Sequence, residues 1–302
     1  MIAELSGKKI SLKVGSADGE VGVLRTLSGK VLPGHFNGPS SFFISRAGIV
    51  YLVDALNYRV QQFALTTGKF LGSIPYGISS PQKVPNLVSD IFIGKEGEIN
   101  LLDYSHQIFL TLDKKGDFLA AFLLKPILKK FPFFRANLIS RSERFVYLWN
   151  NSDPFFFQWQ PEKKIFKKVA LEVAPYIVAG RAYELYFKDL RQRKTLYLTY
   201  NKETDNFSDF EKQIIKLPFT CESLEVIGIH AANLFFKTTA QLSYKIFSWN
   251  MNNKNLSLRG TVPLKSTLDF FRAFFIDMGG NVFFMRFRKK RLVIAKLKKS
   301  AG

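Results

Sequence analysis

The residues with the plainest chemistry in this sequence are its bases, and three stretches concentrate them. Lys125, Lys129 and Lys130 lie within 125–134. Lys188, Arg191, Arg193 and Lys194 lie within 188–194, opposed by Asp189 alone. Arg286, Arg288, Lys289, Lys290 and Arg291 lie within 286–291. Ammonium and guanidinium groups at this density attract polyanions. Phe131, Phe133 and Phe134 sit among the bases of the first stretch. Bases beside aromatic rings suit single-stranded nucleic acid, with charge for phosphate and rings for base stacking. An anionic glycan, a phospholipid surface or an acidic protein fits the same charges. The chain of 302 residues has 44 Lys and Arg against 24 Asp and Glu, a net charge of +20. Residues 1–120 hold 12 bases and 10 acids, so 18 of the net charges fall in 121–302. The plainer reading is a solvated surface that keeps an aromatic-rich protein in solution.

Catalytic chemistry has less support. Cys221 is the only cysteine, which excludes an internal disulfide and a Cys-based zinc site. Nothing in its surroundings marks a reactive thiolate. His35, His106 and His230 form no His-x-x-x-His pair, and there is neither a Gly-rich phosphate loop nor a nucleophile elbow. No cofactor or metal is expected. Asp90, Asn137, Glu225 and His230 remain as side chains that a fold would have to bring together.

The elements that position these residues are strands. Helical periodicity is nearly absent, and short apolar or alternating runs are bounded by Gly, Asn, Asp, Ser and Pro. The 31 Phe agree with sheet packing. Phe42–Ser45, Ile49–Val53, Arg59–Leu65 and Lys69–Ile74 read as an antiparallel meander, with turns at Arg46-Ala47-Gly48 and Thr67-Gly68. The second strand of the unit recurs around Tyr51, Asn100, Tyr147, Tyr186, Phe235 and Phe283. Four strands repeated about every 40–50 residues give an all-β, six-bladed β-propeller of four-stranded antiparallel blades. The expected organisation is a single domain over 1–302, with blades at 41–75, 88–124, 134–173, 176–219, 223–262 and 270–298. In the fourth blade the strands read as Tyr176–Ala179, Ala182–Phe187, Thr195–Tyr200 and Gln213–Phe219, or alternatively with Thr195–Tyr200 second and the blade one strand short. The sixth blade has only three strands before the chain ends. The N-terminal strand at 8–14 fills the gap and closes the ring, which removes an exposed edge.

Gly48-Ile49-Val50-Tyr51-Leu52-Val53-Asp54 followed by Asn57-Tyr58-Arg59-Val60-Gln61-Gln62-Phe63 resembles the NHL repeat. The second blade keeps Gly97, Ile99, Leu102-Asp103, Phe109 and Gly116-Asp117-Phe118-Leu119, with His106 in place of the motif's Asn. The other blades keep only the rhythm. Asp54 and Asn57 fall in a turn where their side chains can bond backbone N–H groups, and Arg59 can brace it. These three are expected to be structural. The resemblance implies a scaffold shared by binding modules and enzymes. Some NHL propellers bind single-stranded RNA on one face. Some related propellers are hydrolases, lyases or lactonases with a channel metal.

In a blade whose strands run A, B, C, D outward, the B–C and D–A connections share one face. All three basic stretches fall there, with a combined charge of +11. The other face receives Glu203, Asp205, Asp209 and Glu211. The expected function is a non-catalytic, monomeric binding platform with a polyanion or acidic protein on the basic face. The alternatives are a metal-dependent propeller hydrolase or lyase and an extracytoplasmic protein-interaction scaffold. The long connection Gly15–Gly38 reads either as a lid or as simple surface packing. The longest apolar run, Phe118–Leu124, is too short for a membrane span. Glu4 interrupts any secretory signal, so the compartment is cytoplasmic if the chain is complete. It is extracytoplasmic if a signal or anchor was removed.

Overall fold

Gly48 turns the first hairpin with a φ of +73°, a left-handed conformation that a Cβ opposes. In the computed structural model, Lys9–Val14 (β1) and Glu20–Val21 (β2) precede that hairpin. Phe42–Ile44 (β3), Ile49–Asp54 (β4), Arg59–Ala64 (β5) and Phe70–Pro75 (β6) then form an antiparallel meander. The structure describes residues 9–23, 38–76, 87–124, 129–132, 134–142, 144–150, 152–160, 165–171, 173–178, 181–240, 243–263, 273–277, 279–288 and 291–297.

The meander recurs five times. Val88–Ile93 (β7), Ile99–Asp103 (β8), Ile108–Leu112 (β9) and Phe118–Leu123 (β10) form the second blade. Leu138–Arg141 (β11), Val146–Trp149 (β12), Phe155–Gln160 (β13) and Ile165–Ala170 (β14) form the third. Tyr176–Val178 (β15), Arg181–Phe187 (β16), Thr195–Asn201 (β17) and Phe210–Lys216 (β18) form the fourth. Ser223–His230 (β19), Asn233–Ala240 (β20), Ser243–Asn250 (β21) and Leu256–Pro263 (β22) form the fifth. Phe274–Ile276 (β23), Val282–Arg288 (β24) and Arg291–Lys296 (β25) begin the sixth. β1 completes it, antiparallel to β25 from Lys9 opposite Ala295 to Lys13 opposite Arg291. β2 then lies parallel to β1 on the outside of that sheet. The result is a closed six-bladed propeller.

Burial explains the strand types. The second strand of a blade is covered on both sides by its neighbours. It therefore reads as a continuous apolar run such as Ile49-Val50-Tyr51-Leu52-Val53 rather than an alternating one. The apolar core is divided among the junctions between blades. Ile10, Leu12, Phe283, Met285 and Ile294 meet Phe42, Val50, Leu52 and Phe63 where the last blade joins the first. Comparable clusters fill the other five junctions. Near the axis Phe43 meets Phe92 and Phe275, with ring centroids 5.4 and 5.0 Å apart. Such contacts each add about 0.5–1.5 kcal/mol beyond burial.

One sequence expectation shifts. The outer strand of the fourth blade is Phe210–Lys216, not Gln213–Phe219. Its register puts Gln213 and Ile215 inward, and the apolar Leu217 belongs to the following connection. Ala136 and Asn137 precede β11, and Ala273 precedes β23. No helix among the described residues is long and apolar enough to cross a membrane.

Candidate ligand-binding face

The face carrying the B–C and D–A connections, here called the upper face, is held by one repeated arrangement. A polar side chain from a B–C turn bonds to the backbone of a D–A connection. In the first blade Asn57 Nδ2 donates to Gly15 O at 3.1 Å. In the second, Gln107 Nε2 donates to Ala136 O at 3.1 Å and its Oε1 accepts from Ala136 N at 2.9 Å. In the third, Asn150 Nδ2 donates to Arg135 O at 3.2 Å. In the fourth, an Arg193 guanidinium nitrogen donates to Glu222 O at 3.0 Å.

The first blade builds a hub around Asp54, which is fully buried. Its Oδ1 accepts from Gly22 N at 2.9 Å. Its Oδ2 accepts from Asn57 Nδ2 at 2.8 Å, Arg59 Nε at 3.0 Å and Gln61 Nε2 at 2.9 Å. Arg59 reaches on to Asp18, Ala17 O and Glu20 O. The NHL-like residues thus clamp 15–22 to the first blade, as their structural reading requires. Gly22 is needed for this approach, because a Cβ there would lie 2.9 Å from Leu56 Cβ and 3.0 Å from Asn57 Nδ2. The described part of the long connection is therefore bound in place rather than lid-like. His35 and the rest of 24–37 lie outside the described residues.

The second blade has a smaller counterpart. Buried Asp103 accepts from Ser105 N and His106 N on Oδ1, and from His106 Nδ1 at 2.6 Å on Oδ2. Between the two hubs lies Tyr76, also buried. Loss of hydration, reinforced by the charges of Asp54 and Asp103, holds its phenol well above the ordinary tyrosine range.

The predicted contact residues divide in three, with Arg288 placed only by its strand. Lys129, Lys130, Lys188, Arg191 and Lys194 are exposed, and none of them forms an ion pair among the described residues. Arg193, Arg286 and Arg291 are engaged with the fold. Arg193 has a φ of +48° and donates to Leu190 O as well as Glu222 O. Arg291 pins the closing strand through Ser11 Oγ at 2.8 Å and Ser11 O at 2.9 Å. Arg286 lies over the ring of Phe284, 5.4 Å from its centroid. Arg288 ends β24. Lys125, Lys289 and Lys290 lie outside the described residues.

The aromatic surface is not where the sequence suggested. Phe134 is buried against Phe155 and Phe157. Phe131 packs on the same two rings, with Lys168 Nζ 4.4 Å from its centroid. Phe133 lies outside the described residues. The reason is local, since the connection must cap the apolar junction between the second and third blades. Exposed aromatic area appears instead at a concavity of about 490 Å³, lined by Ala55, Leu56, Tyr58, Leu87, Tyr104, Ser105 and Arg135. These residues belong to four upper-face connections that are distant in sequence, and nothing in the local sequence singled them out.

Two of the channel candidates have other partners, while the buried Asn137 Oδ1 accepts no hydrogen bond among the described residues. Buried Asp90 accepts from Ser41 Oγ at 2.6 Å and from Ile139 N at 3.0 Å, joining three blades. Glu225 pairs with Lys237 at 2.8 Å. His230 ends β19 so close to Gly280 that a Cβ there would lie 2.7 Å from Nδ1. Among the described residues no three His, Cys, Asp or Glu side chains are grouped to hold a metal ion. Cys221 is buried, and burial raises its thiol above the usual range.

The opposite face is held by aromatic hydroxyls and amides. Tyr147 donates to Asp205 from the fourth blade and accepts from Gln158 Nε2 at 3.3 Å. Burial and the Asp205 bond raise its phenol far above 10. Trp249 Nε1 donates to Gln213 Oε1 at 3.0 Å, and Gln213 Nε2 donates to Tyr200 Oη at 3.0 Å and to Glu211 Oε1 at 2.8 Å. Loss of hydration, with the Glu211 hydrogen bond, pushes Tyr200 up to about 12. Hydrogen bonds from Gln213 and Tyr200 lower Glu211.

Neither protein-family models nor curated protein sequences match this chain. Solved structures do. A member of the DUF4221 family from Bacteroides vulgatus is 11% identical, with 99% of each chain covered and a TM-score of 0.57. Virginiamycin B lyase from Staphylococcus aureus, solved with quinupristin, is 12% identical, covering 96% of this chain and 99% of that one with a TM-score of 0.52. The WD40 repeats of RRP9 are 11% identical, covering 89% of this chain and 97% of that one with a TM-score of 0.51. These likenesses are of fold. They include a lyase and a WD40 repeat protein on one scaffold, so function must be argued from the site.

Proposed function

We propose that this chain is a non-catalytic binding platform whose upper face takes a polyanion, and that its first blade is an NHL-type repeat. The observation that supports this is the set of exposed, unpaired bases Lys129, Lys130, Lys188, Arg191 and Lys194 on B–C and D–A connections. Exposed bases in no ion pair keep their attraction for phosphate or carboxylate, with Asp189 the one acid within 188–194, and the net charge of +20 adds long-range steering. The bases lie on surface connections, outside the junctions that hold the blades together. Closure of the ring by its own N-terminal strand supports a monomeric platform.

The test is salt-dependent retention on heparin or a single-stranded oligonucleotide. Wild type is expected to bind with a steep salt dependence. The triple variant Lys188→Glu, Arg191→Glu and Lys194→Glu is expected to lose about 2–3 units of slope in log affinity against log salt, near one per phosphate contact removed. Its unfolding midpoint should not move. Arg291 is unsuited to this test, because reversing it also strikes ring closure. Wild type that passes through heparin unretained at low salt would sink the reading.

A further inference from the structure

We infer that the concavity between the first three blades is a separate site for a small, flat organic carboxylate. At about 490 Å³ it falls in the size range of small-molecule sites. One wall is apolar, made by Ala55, Leu56 and Leu87. Tyr58 and Tyr104 supply ring surface, and Arg135 supplies a cation.

Two observations make this more than a dent. The first is Tyr58. It has a φ of +51°, in the left-handed region that a bulky aromatic residue rarely adopts, and it is 44% exposed. Its side chain takes part in no hydrogen bond among the described residues. The corresponding residue of the second blade, Gln107, has a φ of +52°, but it is buried and uses its amide to clamp Ala136. The turn demands the conformation in both blades. Only in the first is the side chain left over, and strain carried by an unused ring marks functional sites.

The second is Arg135. One terminal nitrogen donates to Pro132 O at 3.1 Å and Phe134 O at 2.9 Å, which fixes the plane of the guanidinium. Its Nε and second terminal nitrogen donate to no described group. A held guanidinium with an open edge matches the two oxygens of a carboxylate. Asp54 and Asp103, the buried acids of the two turns that line the hollow, already hold Arg59 and His106. A flat apolar body against Tyr58 and Tyr104, with its carboxylate on Arg135, fits the chemistry of all three.

The probe is 2-naphthoate, titrated against the full chain by calorimetry, with 2-naphthalenemethanol as its uncharged counterpart. Wild type should bind naphthoate saturably at one site. Arg135→Gln should weaken naphthoate about tenfold, the loss of one charge-assisted contact, and leave the alcohol unchanged. Tyr58→Gly should abolish binding of both without lowering the unfolding midpoint, since glycine accepts a positive φ. The Lys188→Glu, Arg191→Glu, Lys194→Glu variant should bind naphthoate as wild type does. Its failure on heparin and its success here would separate the two sites. No saturable naphthoate binding, equal naphthoate affinity in Arg135→Gln, or loss of naphthoate in the triple variant would each overturn the inference.

Discussion

The first two blades and the third to fifth differ in what they add to the upper-face ties that blades one to four share. Blades one and two bury a carboxylate on the upper face and saturate it, Asp54 with four donor groups and Asp103 with three. Blades three to five rely on Tyr147, Tyr200, Gln213 and Trp249 near the other face. A buried carboxylate demands particular donors at fixed spacing, which leaves a motif in the sequence. Tyrosines, amides and rings accept many arrangements and leave none. The fading of the NHL-like pattern after the second blade therefore accompanies the loss of the buried turn carboxylate, while the strand architecture continues.

The sharpest way to break this comparison is to empty the hubs. Asp54→Ala leaves Arg59 buried beside unpaired amides and releases 15–22. It should cost about 3–5 kcal/mol, as expected when one partner of a buried charged cluster is removed. Asp103→Ala removes one side-chain and two backbone partners and should cost about 1–3 kcal/mol. Urea unfolding of both variants gives the order, and equal losses would show that the Asp54 cluster is no special anchor. Smaller still is Tyr147→Phe, which loses the Asp205 and Gln158 bonds but keeps the ring packed on Phe156 and Phe207. A loss of about 1 kcal/mol is expected, and one as large as that of Asp54→Ala would erase the distinction between the faces.

The slightest effect is in pH. Glu211 is lowered in the folded state, so its contribution is present above the unfolded glutamate value and fades as pH falls through the lower folded one. Tyr200 is raised, so its contribution is intact below the unfolded tyrosine value and fades as pH climbs towards about 12. Stability from this pair should be flat between those windows. Glu211→Gln should remove the acid slope and shrink the alkaline one in a pH series of unfolding midpoints. An unchanged acid slope would show that Glu211 does not carry it.

Much of the fold was legible. Tyr51, Asn100, Tyr147, Tyr186, Phe235 and Phe283 all fall on second strands, because a strand covered on both faces is rich in apolar residues. The three-strand last blade foretold closure by the N-terminal strand, because an open edge is unfavourable. Asp54, Asn57 and Arg59 were readable as structural because their spacing is local. The candidate site was read only in part. Lys129, Lys130, Lys188, Arg191 and Lys194 emerged as exposed, but Arg193 and Arg291 turned out to brace the fold. Phe134 went to the interior, and Phe131 is half-buried against the same cluster. A basic or aromatic residue in a connection looks the same in sequence whether it faces water or a neighbouring blade.

The sequence by itself determined six four-stranded units, the closure of their ring and the crowding of positive charge into its later part. These follow from periodicity, turn residues and charge, which act over a few neighbouring positions. Only the tertiary structure decided which bases remain unpaired and that Asp90 ties three blades. It also decided that Tyr58, Tyr104 and Arg135 share one hollow. Those outcomes depend on contacts between residues about 30–50 positions apart. The ring fixes such contacts when each blade packs on the next, and no local rule of sequence encodes them.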